Sequence, residues 1–246
     1  MSPVLVLDVD GTLVDTNYHH AIAWFRAFRR SDVTVPVWRI HRAIGMGGDQ
    51  LVPTVAGEDV ENRCGDTVRE AWKEEVDSIL DEVRPLDGAR RLLEAARAAG
   101  YVIVLASSGK PDHVDRYLDL LDARELAHDW TSSADVSQTK PEPNLIEVAL
   151  EKAGESQGVV IGDSVWDCQA AGRIGLPSVA VRTGGFGEQE LLDNGASRVY
   201  EDLHQLREDL PRLAADLRRT SKPSLRSPPH AVADTGRRTS NPALER

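Results

Sequence analysis

Short, wholly apolar runs that stop abruptly at a polar residue set the strongest limit on how this 246-residue chain can fold. Residues 4–7 (Val-Leu-Val-Leu) end at Asp8. Residues 102–106 (Val-Ile-Val-Leu-Ala) end at Ser107, and residues 159–161 (Val-Val-Ile) end at Gly162-Asp163. A further run covers residues 178–181, and a weaker one lies near Trp130. Runs this short, with no polar alternation, read as strands buried on both faces. Helical stretches lie between them, at residues 89–99, 144–153, 165–173 and 203–217. Another helix opens at Pro111, where proline suits a first turn. Strands alternating with helices mean crossover connections and a parallel sheet covered on both sides. The predicted fold class is therefore α/β, a Rossmann-like three-layer core.

One block breaks the alternation. Residues 16–83 read as helical throughout, interrupted by Gly45-Met46-Gly47-Gly48 and by Gly57. That is too long for a simple crossover, so it is predicted to be an inserted α-helical domain. The core then comprises residues 1–15 and 84–217. Residues 218–246 hold four prolines, many Ser, Thr and Arg, and almost no large apolar groups. Such a composition cannot offset the entropy of ordering, and this basic tail is predicted to be disordered.

Composition excludes several classes. Hydrophobic residues make up 41% of the chain, enough for a sizeable core, yet no run of 18 apolar residues exists to cross a membrane. The apolar start lacks the basic region and cleavage site of a signal peptide. Two distant cysteines, Cys64 and Cys168, exclude a disulfide framework and a multi-cysteine metal site. A cytoplasmic protein is expected. The tail has seven basic residues against two acidic, while the body has 22 against 38. An acidic body repels a nucleic-acid backbone, so neither nucleic acid nor membrane is an expected partner. Monomer and homodimer fit the sequence equally.

The polar residues that stop the strands carry the chemistry. Asp8-Val9-Asp10-Gly11-Thr12 follows the first strand, and ligands of parallel α/β sheets bind at that end. Two carboxylates two residues apart on an extended segment project to one side and repel unless a cation joins them. Ser107, with the Ser108 and Gly109 amides leading into a helix, can cradle an anion, although serine and glycine are also ordinary loop residues. Lys140 stands between Thr139 and Pro141, and the proline holds it extended; lysine in such a place is usually a solvated charge. Asp163 follows the third of these runs, and Asp167 lies one helical turn on, so both can face one site. Taken alone, Asp163 could equally cap the helix.

These four motifs, in this order, resemble the haloacid dehalogenase superfamily over roughly residues 4–195. The helical insert resembles the cap of its phosphoglycolate phosphatase and β-phosphoglucomutase group. Dehalogenases of the superfamily lack the second aspartate, which is present here as Asp10. Phosphonatases use a lysine early in the cap, and no lysine occurs between Asp8 and Lys73. The resemblance implies a phosphatase for a small phosphorylated metabolite, phosphoglycolate-like or a sugar phosphate. Asp8 would attack phosphorus and Asp10 would serve as general acid and base. Mg²⁺ would be bound by the Asp8 carboxylate, the Asp10 carbonyl and Asp163. Ser107, Ser108 and Gly109 would hold phosphate oxygens, and Lys140 would supply positive charge. Asp167 would orient either a metal-bound water or Lys140.

The insert is less informative. His20 and Trp24 match a pair seen in β-phosphoglucomutase-like proteins, which makes His20 a candidate site residue, or else a packing or hinge residue. Gly47 and Gly48 lie where the group carries a substrate-facing loop. A sugar-phosphate mutase needs a second cation there, yet the loop offers glycines and Asp49, with Arg42 and His41 nearby. Hydrolysis is therefore expected over the mutase alternative. Intact Asp8, Asp10, Lys140 and Asp163 count against the other alternative, a catalytically silent binding protein.

Overall fold

The structure, a computed structural model, describes residues 3–220. Its six strands are β1 (Val4–Asp8), β2 (Val102–Ala106), β3 (Asp129–Thr131), β4 (Val159–Gly162), β5 (Ser178–Val181) and β6 (Ala196–Tyr200). They form one parallel sheet in the order β3-β2-β1-β4-β5-β6. The α/β class read from the apolar runs is the one observed. β1 lies inside the sheet, with Asp8 opposite Ala106 of β2, and Leu7 opposite Ile161 of β4. The loops that follow β1, β2 and β4 therefore meet at one edge.

Alternate residues of the strands serve the two faces. Leu5, Leu7, Ile103 and Leu105 pack with Leu92 and Leu93 of α5 (Ala89–Ala98) and with Leu206 and Leu210 of α10 (Leu203–Thr220). Val4, Val6, Val104 and Val160 pack with Ile146 and Ala149 of α7 (Asn144–Ala153) and with Ala170 and Ala171 of α8 (Val165–Arg173). Each of these buried Val, Leu and Ile side chains stabilises by about 1.5–3 kcal/mol relative to exposure.

Between β1 and β2 stand α1 (Asn17–Arg30), α2 (Val37–His41), α3 (Gly48–Ala56) and α4 (Glu58–Ile79). α1 buries Asn17, His20, Ala21, Trp24, Ala27 and Phe28, the three-and-four spacing of a helix face. α4 answers with Val68, Ala71, Trp72 and Val76. The Trp24 and Trp72 rings stack between them, with centroids 4.9 Å apart and planes 16° apart. The two connections to the sheet run side by side: Asp15 N–H donates to Arg84 O at 2.9 Å, and Leu86 N–H to Leu13 O at 2.9 Å.

The remaining helices are α6 (Pro111–Leu121) and α9 (Glu188–Asp193). Neither α9 nor β6 was legible in the sequence. β6 is an edge strand, Ala-Ser-Arg-Val-Tyr, with Ser197 exposed, so it lacks the apolar run that marks the inner strands. α4 is interrupted at Cys64, whose φ of −153° and ψ of 16° are not helical. The tail boundary is corrected by three residues: α10 continues to Thr220, through residues 218–220 that composition assigned to disorder. Propagating a helix already docked through Leu206, Leu210 and Leu213 costs far less than starting one. The rest of the predicted disordered segment, residues 221–246, lies outside the described residues. Among the described residues, no helix is long and apolar enough to cross a membrane.

Candidate active site

A tight turn after β1 builds the floor of the site. Gly11 has φ of 78°, in the left-handed region, and a Cβ there would lie 2.4 Å from the Asn17 amide group. Its N–H donates to Val14 O at 2.8 Å, closing the turn. The turn brings Thr12 back beneath the strand end, where its Oγ1 lies 2.9 Å from Asp8 Oδ2 and 3.0 Å from Asp163 Oδ1. Asn17, opening α1, donates from Nδ2 to Asp163 Oδ2 at 2.8 Å.

Lys140 reaches this floor from the loop before α7 and is buried. Its Nζ donates to Asp8 Oδ1 and pairs with Asp167 Oδ1 at 2.7 Å. Asp167, in the first turn of α8, also accepts from Ser164 N–H at 3.2 Å and Oγ at 2.5 Å. Carboxylate oxygens of Asp8, Asp163 and Asp167 all lie within 4.8 Å of one another. Three buried acids thus share one ammonium.

The charge imbalance shows in the acids themselves. Burial, with repulsion from Asp167, Asp163 and Asp10, pushes the Asp8 carboxyl well above its ordinary range despite Lys140. Burial and repulsion from Asp167 raise Asp163 to about 6. Burial opposes the Lys140 charge, but Asp167 and Asp8 more than offset it and hold the ammonium protonated. A hard divalent cation fits an all-oxygen donor set in this condition. The backbone makes room for the acid: a Cβ on Gly184 would fall 1.8 Å from Asp163 Oδ2.

Asp10 faces away from this cluster. Its Oδ1 meets His20 Nε2 at 3.0 Å and Thr16 Oγ1 at 3.1 Å, and its Oδ2 accepts from Ser107 Oγ at 2.7 Å. Burial alone would raise its carboxyl, but His20, Ser107 and Thr16 outweigh burial and hold it at about 2. His20 is further approached by the Tyr117 hydroxyl at 3.4 Å. Ser107 is fully buried, and its Oγ also accepts the Gly109 N–H at 2.9 Å. In the anion cradle expected after β2, the Ser107 hydroxyl and the Gly109 amide are therefore bonded to each other. Ser108 donates from Oγ to Gly45 O at 3.3 Å, reaching the helical block.

Above Asp8 and Asp10 lies a cavity of about 280 Å³, partly open to solvent, between the sheet edge and the helices. Its wall on the helical side includes His20, Gly47 and Gly48, the insert residues expected at the site, together with Trp24 and Trp72. Two cations that sequence reasoning passed over also line it, Arg69 and Lys110. Arg69 is taken up by Glu61 at 2.8 Å and Asp66 at 2.8 Å. Lys110 forms no ion pair among the described residues, and its Nζ lies 6.0 Å from the centre of the Trp72 ring. The available signal was its place, directly after Ser107-Ser108-Gly109 and one of only five lysines. Arg42, the cation expected near the loop, is turned outward, paired with Glu190 and stacked 4.0 Å over the Phe186 ring.

An acid-rich edge of a parallel sheet, roofed by helices, makes this an α/β protein with its candidate site at the strand ends. The chain belongs to a particular family: residues 3–175 match the model of haloacid dehalogenase-like hydrolases. Validoxylamine A 7'-phosphate phosphatase of Streptomyces hygroscopicus subsp. limoneus is 26% identical over 189 residues, covering 74% of this chain and 87% of that protein. The crystal structure of a hydrolase from Pseudomonas syringae superposes with a TM-score of 0.81 at 31% identity, covering 86% of this chain and 99% of that one. The β-phosphoglucomutase of Clostridium difficile shares the fold, with a TM-score of 0.75 at 18% identity, covering 88% and 98%.

Proposed function

We propose that this protein is a cytoplasmic, Mg²⁺-dependent phosphatase for a small phosphorylated metabolite, with residues 16–83 acting as its cap. One observation carries the reading: Asp8 stands at the cavity floor tied to Lys140, with Asp10 beside it, ionised and bonded to His20. In this reading an Asp8 oxygen attacks phosphorus while the ester P–O bond breaks. Asp10 relays a proton to the leaving oxygen, taking it from His20 Nε2, to which it is bonded. In the second half Asp10 takes a proton from water, which displaces phosphate from Asp8. Lys140 balances charge on Asp8 and on the phosphoryl group. Asp8 and Asp163 would hold Mg²⁺, with the Asp10 carbonyl. The bound ion would supply positive charge that lets an anionic phosphate approach a carboxylate. Asp167, paired with Lys140 at 2.7 Å, orients the ammonium.

The aromatic wall of Trp24 and Trp72 suits the carbon face of a small organic group, and Lys110, without an ion pair among the described residues, suits a second anionic or hydroxyl group on it. The same lysine favours the second reading, a sugar-phosphate mutase holding a bisphosphate. The deciding experiment incubates monophosphates, β-glucose 1-phosphate among them, with enzyme and Mg²⁺ or chelator. Phosphate released in step with substrate consumed, abolished by chelator, supports the hydrolase. Glucose 6-phosphate accumulating only with catalytic bisphosphate, and little free phosphate, would replace it with the mutase.

A further inference from the structure

Asp49 opens α3 at the rim of the cavity and is exposed. An acid in a first helical turn is ordinarily explained by the helix dipole. Here the side chain does something else. Its Oδ2 accepts the Thr139 N–H at 3.1 Å and its Oδ1 accepts the Thr139 hydroxyl at 2.5 Å. The Thr139 Oγ1 in turn accepts the Gly47 N–H at 2.9 Å. Three hydrogen bonds thus join two stretches of chain that are 90 residues apart in sequence. The approach is close enough to require glycine, since a Cβ on Gly47 would sit 2.4 Å from Thr139 Oγ1 and 2.8 Å from Asp49 Oδ1.

Thr139 is buried, and its chain neighbour is Lys140. We propose that Asp49 is a positioning residue that couples seating of the helical block to placement of Lys140. With both of its oxygens accepting from Thr139, the Asp49 carboxylate is directed at that loop rather than at a bound anion. The helical block and the loop that supplies the only ammonium among the three buried acids then lock together. Asn17 and His20 of α1 meet the acids Asp163 and Asp10 directly, whereas this contact adjoins the lysine. The inference rests on the phosphatase reading only for its kinetic consequence; the latch itself is structural.

The test uses the full chain and five proteins: wild type, Asp49→Ala, Thr139→Val, the double variant, and Asp49→Asn as the conservative replacement. Amide hydrogen exchange reads the latch without any turnover. In Asp49→Ala, exchange at Thr139 and Gly47 should quicken by about tenfold or more, as expected when a bonded amide is released, while Tm holds within a few degrees. Turnover should then show kcat lowered about tenfold with KM within about twofold, because the displaced lysine acts on the reacting phosphoryl group. Thr139→Val should match it, and the double variant should lose no more than the worse single one. Asp49→Asn, keeping one acceptor for the Thr139 N–H, should fall between. Unchanged exchange at both amides, additive losses, or a KM that falls when the acid is removed would each overturn the proposal; the last would mean that Asp49 faces the substrate. If wild type releases phosphate from no substrate, the phosphatase reading fails while the exchange measurement still decides the latch.

Discussion

Along β1 all five positions are buried and Asp8 is the last of them, whereas along α1 buried positions recur every three or four residues and Ile22, Arg26, Arg29 and Arg30 face outward. The two regions contribute to the site in correspondingly different ways. At the sheet edge, backbone register sets Asp8, Ser107 and Asp163 side by side, because neighbouring strands end together. The helical block holds itself together with its own Trp24–Trp72–Phe28 packing and meets the sheet edge through separate polar contacts. Besides the Asp49 latch, Trp166 Nε1–H donates to Arg42 O at 3.2 Å, and His113 of α6 meets Asp77 of α4 at 2.9 Å. The acids at the strand ends are fixed by the main chain, while the cavity walls on the helical side are joined to the sheet edge by side-chain contacts.

Substitutions at the sheet edge should therefore strike chemistry, and those in the helices should strike recognition. The largest effect is expected from Asp8→Asn, which leaves a poor nucleophile. Steady-state phosphate release should fall about 10⁴-fold or more, with cooperative unfolding retained. Turnover near wild type would mean that the sheet edge does not hold the nucleophile.

Stability separates the regions next. Leu7→Ala opens a cavity beneath the sheet, where the side chain is fully buried, and should cost about 2–5 kcal/mol in denaturant titration. Trp72→Phe keeps most of the wall volume and should cost less than about 1.5 kcal/mol. Its kinetic mark should be a raised KM with kcat nearly kept, since it alters what the substrate rests on. A loss confined to kcat would bring Trp72 into the chemistry and blur the distinction.

The contact between His113 and Asp77 makes the junction sensitive to acid. Burial holds the His113 imidazole below its ordinary value, partly opposed by Asp77, with His20 and Asp10 also acting on it. The folded state thus favours neutral His113. Its stabilising contribution is present above the ordinary value of 6.5 and is lost as pH falls toward the lowered folded value. The Asp77 carboxyl is raised by burial but lowered overall by Lys73 and His113, so its own contribution is lost only at lower pH, below the carboxylate range. Tm should decline between about pH 7 and pH 5, and His113→Gln should flatten that decline. An equal slope in both proteins would show that the junction does not titrate there.

The smallest effect is expected at Trp38, which is 69% exposed on α2. Trp38→Ser should change stability by no more than about 0.5 kcal/mol and leave kcat and KM unchanged. A larger change would reveal that the outer face of the helices takes part in function.

The sequence alone carried the α/β class, the insertion between the first two strands, and the placing of Asp8, Ser107 and Asp163 after strands. Buried parallel strands must be continuously apolar, so the polar residue that ends each one is conspicuous, and its position at the sheet edge follows from topology. Side-chain direction was beyond that reasoning. Composition could not show that Arg42 turns outward to Glu190 while Lys110 enters the cavity, or that Asp49 is absorbed by Thr139. Nor could it show Asp10 committed to His20, Thr16 and Ser107, apart from the cluster of Asp8, Asp163 and Asp167. Periodicity reports burial, a property of one element against the rest. The partner of a charged side chain depends on where distant loops come together, and only the tertiary structure decides that.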